Sequence, residues 1–242
     1  MPKGFALHIG LNYISVKHHK WDGRLGSCVN DALAMQQIAT QEGFEPVALL
    51  ANEEANINAV IAQFEYLSKV AQAGDLVMIT YSGHGGQVLD LNGDEDDGKD
   101  ETWVLYDKEL IDDKICYLLQ EFREDVRILI ISDSCHSGSV TRSGGKATAR
   151  TTVGQLQNEV SKVKASVCLL AACQEYEKAS AGTHLSKYTE ALVKIWDSGK
   201  FRGTYADLSE AILRTQPLSR NPVHQIMGKS TEWLKSGRPF VI

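Results

Sequence analysis

Short runs of aliphatic and β-branched residues alternate along this chain with longer segments whose apolar positions recur every three or four residues. Six runs read as strands: FALHIGLN (5–12), PVALLA (46–51), DLVMITYS (75–82), VRILIISD (126–133), ASVCLLAA (165–172) and, less strongly patterned, PVHQIM (222–227). Between the first two, VNDALAMQQIATQEG reads as a helix with Val29, Leu33, Gln36/Gln37 and Ile38 on one face before Gly43 stops it. Residues 54–72 repeat the plan with Ile57, Val60, Ile61, Phe64 and Leu67, and further helices are expected over 112–121, 186–198 and 204–215. Strands alternating with helices predict an α/β fold, a mostly parallel six-stranded sheet with helices on both faces. No internal repeat divides it, so residues 1–242 are expected to form a single domain.

A hydrophobic content of 43% is ample for such a core. No apolar run approaches the length of a membrane span, and the start MPKGFALHIG lacks the apolar stretch and cleavage site of a secretory signal. A cytoplasmic protein without a membrane partner is the expectation. Five cysteines, Cys28, Cys116, Cys135, Cys168 and Cys173, are an odd and scattered set that suits reduced thiols better than a disulfide framework. The formal net charge of −6, with no basic stripe, argues against nucleic acid as a partner.

The chemistry concentrates where two strands end. ILIISDSCHSGS (128–139) carries Cys135 out of an apolar run into small polar residues, and TYSGHGG places His84 at the end of the preceding strand in the same way. Neighbouring parallel strands deliver their carboxyl ends to one rim, where open α/β sheets bind ligands. A nucleophilic thiol needs a base within reach and amides for the oxyanion. His84 supplies the base, and the N–H groups of Gly85 and Cys135 are the candidate oxyanion donors. His136 directly follows the cysteine, and His18 and His19 are expected in a polar loop. A packed core cysteine and a simple turn are the bland readings of each feature alone. A phosphatase loop does not fit, because six residues rather than five separate Cys135 from Arg142 and Ser134 stands where its histidine belongs.

Two loops break the alternation. LDLNGDEDDGKDE (89–101) carries seven carboxylates and TRSGGKATARTT (141–152) three cations among small residues. Either could be a solvated surface loop. The acidic one partly matches an EF-hand through Asp90, Asn92, Asp94, Asp96 and Glu101, but Glu95 occupies the glycine position.

Taken together, YSGHGGQ around His84, SDSCHSGS around Cys135, LGSCVNDA (25–32), DGKDE, IDDK and CQEYEKASA (173–181) resemble the caspase-like cysteine peptidases, and within them the metacaspases and bacterial orthocaspases. The 51 residues from His84 to Cys135 are close to the roughly fifty described for caspases. The resemblance implies a caspase-like three-layer sandwich, a Cys135–His84 dyad, and an acyl-enzyme that water hydrolyses. It also places Cys28, Asp31, Ser82 and Asp133 in a pocket for the substrate residue before the cleaved bond. Two carboxylates there would select a cation, arginine before lysine, in protein or peptide substrates. Asp31 as a helix cap and Asp133 as a strand-end aspartate bonded to amides are the alternatives.

The family's calcium-binding aspartates map onto Asp100, Asp112 and Asp113, with a fourth falling at Arg142. The chemistry requires no cofactor, and calcium is expected to stimulate weakly or not at all. Metacaspases are generally monomers, and the proline-preceded PVHQIM strand makes a poor dimer edge. The segment 141–160 is expected to be a flexible processing linker, cut by the enzyme itself after Arg142, Lys146 or Arg150. A caspase-like module that binds without cleaving, or a metal-binding or phosphorelay module built on the acidic loop, are the rival classes.

Overall fold

Residues of alternating parity along the central strands bury on opposite faces, which is what a sheet covered on both sides requires. The computed structural model describes residues 1–89, 99–135, 162–172, 185–215, 223–229 and 231–242, with Leu89, Lys99, Asp100, Cys135 and Val223 described through their backbone. The linker 141–160, most of the acidic segment and the segment 173–181 therefore lie outside the described residues.

The strands are β1 (Gly4–Gly10), β2 (Glu45–Ala51), β3 (Leu76–Leu89), β4 (Lys99–Val104), β5 (Glu109–Ile111), β6 (Arg127–Cys135), β7 (Ser166–Ala171) and β8 (Val223–Gly228). The main sheet runs β2-β1-β3-β6-β7-β8. Its first five strands are parallel, and β8 pairs antiparallel with β7. The helices are α1 (Val16–His19), α2 (Cys28–Gln41), α3 (Ile57–Val70), α4 (Asp112–Gln120), α5 (Lys187–Trp196), α6 (Tyr205–Thr215) and α7 (Glu232–Ser236).

One face of the sheet, with Leu7 and Ile9 of β1, Val77 and Ile79 of β3 and Ile128 and Ile130 of β6, packs against α3 and α4 through Val60, Phe64, Leu67, Ile115 and Leu119. The other face, with Ala6, Met78, Leu129, Cys168 and Leu170, packs against α2, α5 and α6 through Met35, Ile38, Leu192, Trp196, Leu208 and Ile212. The three-layer architecture is the one expected. Among the described residues no helix is long and apolar enough to cross a membrane.

Three features depart from the sequence reading. First, β3 does not stop at Ser82. It continues through His84 to Leu89 and leaves the main sheet to pair antiparallel with β4, which pairs in turn with β5. The glycines of this extension permit close packing: a Cβ on Gly83 would stand 2.5 Å from the Tyr81 hydroxyl, and one on Gly86 2.6 Å from Thr102 Oγ1. Second, His18 and His19 end the short helix α1, and a His19 ring nitrogen lies 3.0 Å from the Leu105 carbonyl oxygen. Third, α2 buries Cys28, Asp31, Ala32, Met35, Ile38 and Ala39, while Leu33 is 42% exposed. The helix turns its small residues and an aspartate inward because β1 approaches closely; a Cβ on Gly10 would lie 2.5 Å from the Cys28 carbonyl oxygen.

The face of α2 can be tested by two truncations. Met35→Ala should cost about 2–5 kcal/mol in urea unfolding, and Leu33→Ala about 0.5 kcal/mol or less. A larger loss for Leu33→Ala would restore the face expected from periodicity.

Candidate active site

The parallel pairing of β3 with β6 runs in unbroken register from Leu76↔Arg127 to Ser82↔Asp133, Gly83↔Ser134 and His84↔Cys135. The candidate base and nucleophile therefore occupy directly opposed positions on adjacent strands, whose axes lie roughly 4.8 Å apart. Their sequence separation is spanned by the β4–β5 hairpin and α4.

His84 is almost wholly buried, at 3% exposure. Its Nε2 lies 2.9 Å from the Gly23 carbonyl oxygen. A carbonyl can only accept, so Nε2 carries the proton and the lone pair of the neutral ring sits on Nδ1. Burial pushes the imidazole below the ordinary histidine range, and the Gly23 hydrogen bond offsets part of that shift. The ring is thus neutral at pH 7, as a general base must be.

Gly23 has φ of +53°, and a Cβ there would lie 2.7 Å from Ile14 and 3.2 Å from the His84 ring. The segment that presents its carbonyl is tied down by the Ile14 N–H donating to Asp22 O at 3.0 Å and the Leu25 N–H to Asn12 O at 2.8 Å. Trp21 of the same segment meets the imidazole with ring centroids 4.6 Å apart and planes at 60°.

The opposite side of the rim is buttressed. Tyr81 stacks on Trp103 at 4.6 Å with planes 6° apart. The Tyr81 hydroxyl lies 2.7 Å from His84 O and 3.0 Å from Val104 O, two acceptors that share its single proton. Trp103 Nε1 donates to Ser132 Oγ at 3.1 Å, and Ser132 Oγ lies 3.1 Å from Ser134 Oγ. Gly85, half-buried, stands opposite Trp103 in the pairing of β3 with β4.

Two residues back, at the pair Ser82↔Asp133, Asp133 of β6 forms a buried acid pair with Asp31 of α2. Asp31 and Asp133 are 1% and 7% exposed. Ser82 Oγ donates to Asp31 Oδ2 at 2.8 Å and the Ser186 N–H to Asp31 Oδ1 at 2.8 Å. The Ser186 hydroxyl donates to Asp133 Oδ2, as does Thr189 Oγ1 at 2.8 Å. Ser186 is also the N-cap of α5, accepting from the Thr189 N–H at 3.1 Å. Asp133 thus meets the amino end of a helix, where the exposed N–H groups favour negative charge. Asp31 does not cap α2, whose N-cap is Ser27; its carboxylate is spent on Ser82 and Ser186. Cys28 is buried at the start of the same helix.

Burial raises both carboxyls above the usual range. Asp31 is pushed to about 7, first by burial and then by the Asp133 charge, against the hydrogen bonds from Ser186, Ser82 and Ser27. The pair resists carrying two negative charges at neutral pH, and a cation between the carboxylates would reverse that.

Ser186 and Thr189 were not singled out from the sequence. Their spacing ahead of an amphipathic helix signals a cap, but nothing local reveals that the cap faces residues 53 or more positions away. The remaining candidates are more dispersed. Asp112 is buried at the start of α4 and accepts from the Asp113 N–H at 3.0 Å, and Asp100 lies on β4. Among the described residues no three His, Cys, Asp or Glu side chains gather as a metal site would require. Arg142, Lys146 and Arg150 lie outside the described residues.

The fold is that of the caspases. Caspase-1 from Spodoptera frugiperda superposes with a TM-score of 0.53 over 94% of this chain and 86% of its own, at 15% identity, a likeness of fold alone. A crystal structure of a protein from Geobacter sulfurreducens matches much more closely, with a TM-score of 0.84 and 34% identity over 100% of this chain and 99% of that one. The model of the metacaspase peptidase C14 domain matches residues 5–143, and the chain belongs to the metacaspase family. Metacaspase-1A of Aspergillus clavatus is 37% identical over 150 residues, 55% of this chain and 33% of that protein. Metacaspase-1 of Candida glabrata is 35% identical over 149 residues, 56% of this chain and 37% of that protein. The matched region spans about a third of the length of these curated relatives. The family match contains His84, Cys135, Asp31, Ser82 and Asp133, and ends before Ser186 and Thr189.

The raised Asp31 carboxyl has a measurable consequence. Its folded value near 7 exceeds the unfolded 3.8, so the native state favours the protonated form. That contribution is complete below about pH 4 and is lost as pH rises to about 7. The stability of Asp31→Asn relative to wild type should therefore grow across this interval, as read by urea unfolding. Parallel pH curves would mean that Asp31 ionises normally.

Proposed function

We propose that this protein is a cysteine endopeptidase that cleaves after arginine, and less readily after lysine, through Cys135 and His84. The observation that carries the reading is the shared register: His84↔Cys135 at the rim and Ser82↔Asp133 two residues behind it. Two residues along a strand span roughly 6.6 Å. A substrate residue whose carbonyl is attacked at the rim could place its side-chain head beside the acid pair only if its stem is long. Arginine and lysine have three or four methylenes and a cationic end. An aspartate is too short and would be repelled.

In this mechanism His84 takes the thiol proton on Nδ1 while Cys135 attacks the carbonyl carbon. The oxyanion is met by the N–H groups of Gly85 and Cys135. As the C–N bond breaks, the imidazolium gives its proton to the departing amine, leaving a thioester on Cys135. Water, deprotonated by His84, then hydrolyses the thioester and restores thiol and imidazole. The Gly23 carbonyl keeps the ring in the required tautomer throughout, and the chemistry draws on no metal. Calcium, if it acts through Asp100, Asp112 and Asp113, would be a modulator weakened by Arg142. The basic segment carrying Arg142, Lys146 and Arg150 is a tethered substrate of the preferred type, whose effective concentration is roughly millimolar for a short link. Autoprocessing there is part of the reading, as are a monomeric, cytoplasmic enzyme and protein substrates.

Cys135→Ala should abolish hydrolysis of an arginyl reporter peptide, and His84→Ala should lower it by roughly 10²–10⁴-fold. Asp133→Ala should lose about 2–5 kcal/mol of transition-state binding for the same reporter. Turnover by Cys135→Ala, or cleavage of an aspartyl reporter by wild type, would contradict the reading. Intact-mass analysis of purified wild type beside Cys135→Ala should show cuts after Arg142, Lys146 or Arg150 in wild type alone. Identical masses after prolonged incubation would remove autoprocessing.

A further inference from the structure

Trp21 stands against the catalytic imidazole and yet is 46% exposed, whereas His84 itself is 3% exposed. A half-exposed indole beside a buried base covers the base on one side and offers its own remaining surface to whatever approaches. We propose that Trp21 forms the subsite for the residue immediately after the scissile bond, and that the enzyme favours a large apolar or aromatic residue there. The inference rests on the peptidase reading and extends it to the leaving-group side.

The direction follows from topology and chemistry together. In the sheet β3 lies between β1 and β6, and Trp21 belongs to the segment that follows β1. His84 is therefore flanked by Cys135 from one neighbouring strand and by Trp21 from the connection that leaves the other. The carbonyl carbon bonds to Cys135, while the departing amine must come to His84 to receive its proton. The residue bearing that amine continues away from Cys135, toward the indole.

The platform is preset rather than induced. The Gly23 carbonyl is engaged by His84 Nε2, the Asp22 carbonyl by the Ile14 N–H, and the Asn12 carbonyl by the Leu25 N–H. Two charges that follow Trp21 in the chain pair with each other, Arg24 Nε donating to Asp22 Oδ2 at 2.8 Å. What the segment presents at the site is an apolar ring of large area, which suits apolar and aromatic side chains.

The test is a peptide series with arginine before the cleaved bond and glycine, aspartate, leucine or phenylalanine after it. It is read as kcat/KM for wild type, Trp21→Phe and Trp21→Ala. Wild type should prefer phenylalanine and leucine over glycine by on the order of tenfold. Trp21→Phe should keep most of that ratio, and Trp21→Ala should bring it close to one. A wild type indifferent to the following residue would overturn the inference alone. So would a Trp21→Ala that slows every peptide by the same factor, since the indole would then merely position His84. Failure of wild type to cleave any peptide after arginine would overturn the peptidase reading and this inference with it.

Discussion

Nine consecutive pairs hold Leu76–His84 of β3 against Arg127–Cys135 of β6, and every functional distance in the site depends on that register. Because side chains alternate along a strand, slipping the pairing by one residue would turn Ser82 and His84 against the wrong partners and set apolar positions toward the wrong layer. The two cores forbid it. Val77, Ile79, Ile128 and Ile130 are committed to one face, and Met78, Leu129 and Ile131 to the other. The precision of the rim is thus inherited from the apolar packing beneath it. The Tyr81–Trp103 stack and the serine pair then hold β3 in place where it leaves the main sheet.

The same scaffold bears a standing cost. Two carboxylates are buried together, and hydrogen bonds from Ser82, Ser186 and Thr189 compensate only in part, since both carboxyls remain raised. On the proposed reading, a substrate cation arriving there would offset the repulsion and the desolvation at once. Ser186 couples the two acids directly, its N–H serving one and its hydroxyl the other. The cap of α5 thereby ties a helix late in the chain to two acids carried by α2 and β6.

Much of this was legible in the sequence because it is written in local patterns. Six strands appear as apolar runs, and α3 as a regular stripe through Val60, Phe64 and Leu67. His84 and Cys135 stand out because in each case a long apolar run gives way to small residues around a single reactive side chain. The departures share a cause, namely that small and polar residues do not mark the surface here. In α2 they mark the close approach of β1 and the acid pocket, so Asp31 and Ala32 are buried while Leu33 is not. In β3 the glycines allow packing against Tyr81 and Thr102 rather than a turn. The β4–β5 hairpin was hidden by its charged residues, although Trp103, Val104 and Leu110 are buried within it. Ser186 and Thr189 carry no local sign of their hydrogen bonds to the acid pair, because tertiary folding alone brings them to Asp31 and Asp133.

The central claim is that one register sets both the thiol and the cation pocket at a fixed spacing. It is tested most directly by inactivating the protein with a thiol-alkylating ketone that bears an arginine side chain, and solving the structure of the adduct. The account predicts a covalent bond to Cys135 with the guanidinium lying between Asp31 and Asp133. A guanidinium seated elsewhere, or alkylation of Cys28, Cys116, Cys168 or Cys173 in place of Cys135, would contradict it.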